Sequence, residues 1–215
     1  MASNGVSVVT TTWNEAENIE RLVFAVKSIL IGIPHEVIVI DDCSTDDTYQ
    51  VAKKTADIAV CKTREGQTKG LLCGMLLAKY PAIVTIDADL ENDPAHIPSL
   101  IQATATHDIV VASRTKLPRF SEKIASGTMG KIIGVTDVFS NFRSYRREVI
   151  PNLQLKNGET FGLELLVRAK KMGLKIGELC YDPPPRRKHP RIGGAVRANA
   201  RIIWALLKAI FIYIH

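Results

Sequence analysis

The strongest constraint on how this chain folds is the alternation of short β-branched runs with segments of helical period. Val37-Ile38-Val39-Ile40, Ile83-Val84-Thr85-Ile86 and Ile109-Val110-Val111 are near-continuous apolar runs. Strands covered on both faces read this way, because neither face meets water. Strands are expected at 6–12, 36–40, 58–62, 82–86 and 108–112, and helices at 15–30, 46–56, 69–79 and 94–104. The last helix opens with Pro94, which a first helical turn tolerates because its N–H would be unpaired anyway. The alternation implies an α/β fold: a mostly parallel sheet with helices on both faces. After Arg114 the rhythm changes. Residues 116–126 are polar, contain Pro118 and read as a mobile loop; 138–145 alternates like a strand, 161–171 reads as a helix and 174–181 as a strand. Pro183-Pro184-Pro185 ends regular structure stiffly, dividing a body at 1–185 from a tail at 186–215.

Charge separates body from tail as sharply as the prolines do. The chain carries a formal +6, and seven basic residues lie between Pro183 and His215 with no Asp or Glu among them. The body is therefore close to neutral and the tail basic, which suits an anionic lipid or a phosphorylated substrate. Nucleic acid is disfavoured as a partner, since aromatic side chains are not interleaved with the basic ones. The basic stretch runs into an apolar segment, 202–214, that includes Trp204 and Tyr213. It is shorter than the ~20 residues a helix needs to cross a bilayer. An amphipathic helix lying in the membrane interface fits it; a helix buried in a core or dimer interface fits it equally. No charged and then apolar leader opens the chain, and Cys43, Cys61, Cys73 and Cys180 show no paired spacing. They read as free thiols, placing the protein in a reducing cytoplasm.

In a doubly wound sheet, ligands bind beyond the carboxyl ends of the strands. Here those ends are polar: Thr11-Thr12-Trp13-Asn14-Glu15 after the first, Asp41-Asp42 after the second, Asp87-Ala88-Asp89 after the fourth, Ser113-Arg114 after the fifth. Asp87 and Asp89 are two apart and project to one side of an extended segment, so both can face one divalent cation. Mg²⁺ and Mn²⁺ take such oxygen ligands and share them with substrate phosphates. Asp93 before Pro94 reads as a helix cap, as do Ser44 and Thr45 before the second helix. Lys69 and Arg64, beside Gly66, are within reach of a phosphate, and Gly74 reads as a close helix contact. The GxGxxG and GxxxxGK[ST] signatures are both missing, which disfavours a dinucleotide fold and a P-loop.

Taken together, Thr11 to Glu15 with Asn18, Val39 to Thr48, Asp87 to Leu90, Asp137-Val-Phe-Ser-Asn-Phe-Arg143 and the segment from Leu163-Glu164 to Glu178 resemble five successive motifs of the family 2 glycosyltransferases. The branch they resemble is that of the dolichol-phosphate mannosyltransferases and other polyprenyl-phosphate glycosyltransferases. The resemblance implies a GT-A fold, a mixed sheet with one antiparallel strand near its end. It implies that Thr11, Trp13, Glu15 and Asp42 contact the nucleotide and that Asp87 and Asp89 hold Mg²⁺ or Mn²⁺ on its diphosphate; Lys69, by its place near Gly66, and Asp87 are expected to contact the nucleotide as well. Arg114 and Arg143 would face substrate phosphates, with Asp89 and Asp137 among the catalytic groups and Glu164 a second candidate base. Arg191 and Arg197 would meet the acceptor phosphate. The implied reaction moves a sugar from a GDP- or UDP-linked donor to a polyprenyl phosphate, with inversion, at the cytoplasmic face of a membrane surface. A glycosyltransferase with a different acceptor, or a nucleotide-sugar-binding protein without transfer activity, is the competing expectation. The chain departs from the family pattern at Trp13 for Tyr, Glu91 for Gln, Asn141 for Gly and Val196-Arg197 for Ser-Lys.

Overall fold

The computed structural model describes residues 5–153, 160, 162–183 and 194–214, with side chains from 199 onward in the last stretch. Strands β1 (Val6–Thr12), β2 (His35–Asp41), β3 (Ile58–Cys61) and β4 (Ala82–Thr85) alternate with helices α1 (Ala16–Ile29), α2 (Thr48–Thr55) and α3 (Gln67–Leu77). A 3₁₀ turn (Pro94–His96) leads into α4 (Ile97–Ala103), and Asp93 caps that turn by accepting from the Ala95 N–H. Next come β5 (Ile109–Arg114), α5 (Phe120–Ala125), α6 (Lys131–Ile133), β6 (Arg143–Arg146), α7 (Leu163–Lys171), β7 (Ile176–Tyr181) and α8 (Gly194–Ile214).

The seven strands form one sheet in the order β3-β2-β1-β4-β6-β5-β7. All pairings are parallel except those of β6, which runs antiparallel between β4 and β5. Both sheet faces are covered. On one, Ile19, Leu22 and Val26 of α1 and Ile97 and Leu100 of α4 pack against Val8, Val37 and Val84. On the other, α3 packs against the sheet, its Leu71 and Met75 sharing one core cluster with Val9, Ile38 and Ile83, a cluster to which Leu166 of α7 and Leu206 and Ala209 of α8 also belong. The β-branched runs are thus buried on alternate sides, as their unbroken apolarity implied. Gly74 lets α3 lie close to the sheet: a Cβ there would run into Val9 Cγ1.

Three expectations are corrected. Residues 116–126 are not a loop throughout. Phe120–Ala125 is helical and continues through a π turn (Ser126–Gly130) into α6. Ala125, Met129 and Ile133, spaced by four, bury one face of this segment. Only three apolar positions carry that face, too few to stand out among polar neighbours. The strand expected at 138–145 pairs only at Arg143–Arg146, because Asp137 to Ser140 closes a turn in which the Ser140 N–H donates to the Asp137 carbonyl. The second helix is preceded not by a Ser44 or Thr45 cap but by Asp46, whose Oδ1 accepts from the Thr48 N–H at 3.0 Å. Ser44 instead donates to Asp41 at 2.5 Å.

Among the described residues, no helix is long and apolar enough to cross a membrane. Helix α8 lies against α7 and α5 through Ile202, Ala205, Leu206, Ala209 and Ile212. Its other side is also apolar: Ile203, Trp204, Leu207, Phe211 and Ile214 are exposed, Trp204 at 61% and Phe211 at 60%.

Candidate active site

The carboxyl ends of β1, β2 and β4 open into one cavity of about 340 Å³, lined among others by Thr11, Trp13, Glu15, Asp42, Asp87 and Asp89. Each of the three strands leaves the sheet through a residue in the left-handed region: Asn14 (φ 54°), Cys43 (φ 65°) and Leu90 (φ 61°). For a non-glycine residue that conformation costs roughly 1–2 kcal/mol. It persists where surrounding bonds over-determine it, typically beside a site. Those bonds tie the loops together: the Asn14 N–H meets Ser44 Oγ at 2.9 Å, and Asn14 Oδ1 accepts from the Thr45 N–H at 2.9 Å. Glu15 is fastened by its own N–H to Thr48 Oγ1 at 2.8 Å and accepts from Asn18 at 2.6 Å.

Asp42 sits at the second strand end, nearly buried. Its Oδ1 accepts from Lys62 Nζ at 2.9 Å and the Glu65 N–H at 3.0 Å, and its Oδ2 from the Gly66 N–H at 3.0 Å. Burial alone would raise its pKa, but these three donors outweigh it and hold the carboxyl below the ordinary value. The loop that brings both amides to Asp42 turns on Gly66 (φ 97°), a conformation glycine adopts without strain. Arg64 of the same loop lays its guanidinium 3.5 Å above the Trp13 ring. The pairing combines cation–π attraction with planar stacking.

The acidic pair lies at the other end of the cavity. Asp87 accepts from Gln67 Nε2 on one oxygen and from Asn92 Nδ2, at 3.1 Å, on the other. Asn92 in turn accepts from the Tyr181 hydroxyl at 2.5 Å. Burial and the neighbouring Asp89 carboxylate push Asp87 up to about 7, partly offset by Asn92, Arg114 and Gln67. Two carboxylates crowded together and under-compensated fit a divalent cation. Among the described residues no cluster of three or more His, Cys, Asp or Glu forms a cage for a metal. A cation on this pair would therefore take most of its oxygens from water and a bound diphosphate, as Mg²⁺ commonly does.

The remaining predicted residues are placed differently. Arg114 Nε donates to Asp137 Oδ2 at 2.6 Å, and its Nη2 is 3.6 Å from Glu122. Burial would lower the Arg114 pKa, but Asp137 and Glu122 more than restore it, so the guanidinium stays charged. Asp137 is buried, with Oδ1 unpartnered. Glu164 is fully buried and paired with Arg168 at 2.6 Å. Arg143 does not reach the cavity. As the first residue of β6, paired with both β4 and β5, it is fully buried and donates to the carbonyls of Gly162 (2.9 Å) and Val138 (3.0 Å). Lys69 is likewise absent from the cavity lining and pairs with Glu65 at 3.0 Å on the exposed side of its helix turn. Arg191 and the side chain of Arg197 lie outside the described residues. Gln67, Asn92, Tyr181 and Lys62 were not expected at the site. Neutral residues without a motif carry no signal of their own, and Lys62 was hidden at the end of a presumed strand.

Comparison with known proteins supplies the family. The model of glycosyl transferase family 2 matches residues 7–129. The dolichol-phosphate mannosyltransferase of Pyrococcus furiosus is 30% identical over 94% of this chain and 64% of its own length. The dodecaprenyl-phosphate galacturonate synthase of Rhizobium johnstonii is 28% identical over 96% of this chain and 66% of its own. The undecaprenyl-phosphate 4-deoxy-4-formamido-L-arabinose transferase of Pectobacterium carotovorum is 32% identical over 67% of the chain and 50% of its own. The chain thus spans half to two thirds of the length of these relatives. The crystal structure of Mycobacterium tuberculosis glucosyl-3-phosphoglycerate synthase superposes with a TM-score of 0.78 at 21% identity, covering 96% of this chain and 80% of that one. This likeness supports the GT-A fold already visible in the sheet order. With the family model covering more than half of the residues, the chain belongs to glycosyl transferase family 2.

Proposed function

We propose that the protein transfers a hexose from a nucleotide sugar to a polyprenyl phosphate, with inversion at the anomeric carbon and with Mg²⁺ or Mn²⁺ bound. The observation that carries this reading is the convergence of Thr11, Trp13, Glu15 and Asp42 with the Asp87–Asp89 pair around one cavity. The first group offers an aromatic face and hydrogen-bonding groups for a nucleoside. The second offers the carboxylates that a diphosphate-bound cation needs. The names of the relatives, polyprenyl-phosphate sugar transferases, support the acceptor class.

Breaking the bond from sugar to diphosphate leaves negative charge on the departing phosphate. The bound cation would neutralise that charge as a Lewis acid. Asp87 and Asp89 would hold it, and Gln67 and Asn92 fix the rotamer of Asp87 by donating to both its oxygens. Arg114, locked by Asp137, adds a fixed positive charge close enough to Asp87 to lower that group's pKa. The buried Arg114–Asp137 pair makes Asp137 a positioning residue. A phosphomonoester acceptor is already largely ionised near pH 7, its second pKa being about 6. It needs orientation more than a general base. Arg191 and Arg197 are proposed to provide that orientation. The body comes to the lipid through the exposed face of α8, on the cytoplasmic side, where the four unpaired cysteines are at home.

The test is a screen of nucleotide sugars for transfer to a short polyprenyl phosphate, with Mg²⁺, Mn²⁺ or chelator. Transfer that depends on the cation supports the reading. Turnover of no nucleotide sugar, or undiminished turnover in chelator, overturns it.

A further inference from the structure

Tyr181 closes β7 at one edge of the sheet, yet its hydroxyl ends in the loop that follows β4. Strands β6 and β5 lie between those two in the sheet order. The ring packs against His96, with centroids 4.9 Å apart, and against Phe142 at 6.0 Å with the two planes nearly perpendicular. The hydroxyl donates to Asn92 Oδ1 at 2.5 Å, and Asn92 Nδ2 donates to Asp87 at 3.1 Å. Both Tyr181 and Asn92 are buried. A relay of donors therefore runs from the sheet edge to the inner carboxylate of the acidic pair.

The chemistry of the groups sets the direction of that relay. An ionised carboxylate only accepts, so Asn92 must turn its amino end toward Asp87. The amide oxygen then faces the interior, where an acceptor without a donor is costly. Tyr181 supplies that donor, and a hydroxyl on the amide oxygen polarises the amino group into a stronger donor. Packing alone does not call for the hydroxyl, since a phenylalanine ring fills the same space beside His96 and Phe142. Without it Asn92 has two poor choices. It keeps an unpaired oxygen where it stands, or it flips and points that oxygen at Asp87. Either one leaves Gln67 to hold the carboxylate. The terminal torsion of an aspartate is soft, so one donor does not fix the plane that two donors fix.

We propose that Tyr181 is a positioning residue of the acidic pair, acting through Asn92 to set the plane of the Asp87 carboxylate toward a divalent cation. The proposal rests on reading Asp87 and Asp89 as the residues that hold the cation, and adds the group that orients them. Partners that hold a metal's ligands change its affinity by about 10–100-fold when removed. Asn92 is such a partner, and Tyr181 stands one bond further out.

The test is Mn²⁺ binding by the full chain, followed through the paramagnetic resonance of the free ion, with UDP and with GDP in separate titrations. Tyr181→Phe should weaken Mn²⁺ binding by about three- to tenfold and Asn92→Ala by about tenfold or more. The double variant should lose no more than Asn92→Ala alone, because residues that act through one another are not additive. Wild-type affinity in Tyr181→Phe would make the hydroxyl a satisfied core group and overturn the proposal, and wild-type affinity in Asn92→Ala would overturn it equally. Losses that multiply in the double variant overturn the route through Asn92. If the unaltered chain binds no Mn²⁺ with either nucleotide, the cation assignment itself fails and takes the inference with it.

Discussion

At the residue scale, the site is defined by carboxylates in contrasting surroundings. Asp42 is held ionised by three donors, whereas Asp87 is pushed toward neutrality by burial and Asp89. The depressed pKa of Asp42 has a consequence for stability. The unfolded chain takes up that proton near the ordinary value of 3.8 and the folded chain only at lower pH. The stabilisation is therefore complete above 3.8 and is lost as pH falls through the folded value. Asp42→Asn removes it and turns an amide toward the Glu65 or Gly66 N–H, so the variant should be less stable at pH 7 by about 1–3 kcal/mol. Urea unfolding from pH 7 to 2.5 should show that gap closing on the acid side; a gap independent of pH would mean the charge of Asp42 does not matter. Asp89 is exposed and accepts only the Glu91 N–H among the described bonds. Asp89→Ala should leave the melting temperature nearly unchanged and lower turnover by roughly 10²-fold or more. Wild-type turnover in that variant would remove the metal role from the pair.

At the element scale, two helices carry predictions. Helix α3 can lie close against the sheet because Gly74 has no side chain to meet Val9 and Ile40. Gly74→Ala gains about 1 kcal/mol of helix propensity. Overpacking should cost about 1–3 kcal/mol, leaving a net loss of up to about 2 kcal/mol, read as a lower denaturation midpoint. Net stabilisation would show that α3 can back away from the sheet. Helix α8 is apolar on both sides, but only one side meets the body. Trp204 and Phe211 lie on the exposed side, while Leu206 and Ala209 lie on the packed one. Trp204→Ser with Phe211→Ser should release the protein from anionic liposomes in a flotation assay, because these rings supply interfacial burial. The fold should keep its stability, since neither ring is in the core. Unchanged flotation would assign that face to a protein partner.

At the scale of the whole molecule, the site joins loops from three strands, so nucleotide and cation should stabilise the fold together. Mn²⁺ with a nucleoside diphosphate should raise the melting temperature by more than the two separate shifts combined, and chelator should abolish the excess. Strictly additive shifts would mean the two do not meet. The strands covered on both faces, the polar strand ends and the Asp87–Asp89 pair could be read directly, because burial on both faces and short spacing leave their marks locally. That is why the mostly parallel sheet and six of the cavity residues were legible in advance, whereas the one antiparallel strand was implied only by the family resemblance. The placement of Arg143 was not. Its motif suggested a phosphate ligand, yet the insertion of β6 between β4 and β5 buries it, and strand order is set by packing between segments far apart in the chain. Lys69 was preferred to Arg64 as a nucleotide contact, yet the structure pairs Lys69 with Glu65 and lays Arg64 over Trp13 in the cavity lining. Likewise, the sequence by itself determined that 202–214 is an apolar helix. Tertiary structure alone decided which stripe of it packs against α5 and α7, because both stripes are apolar and only the shape of the body distinguishes them.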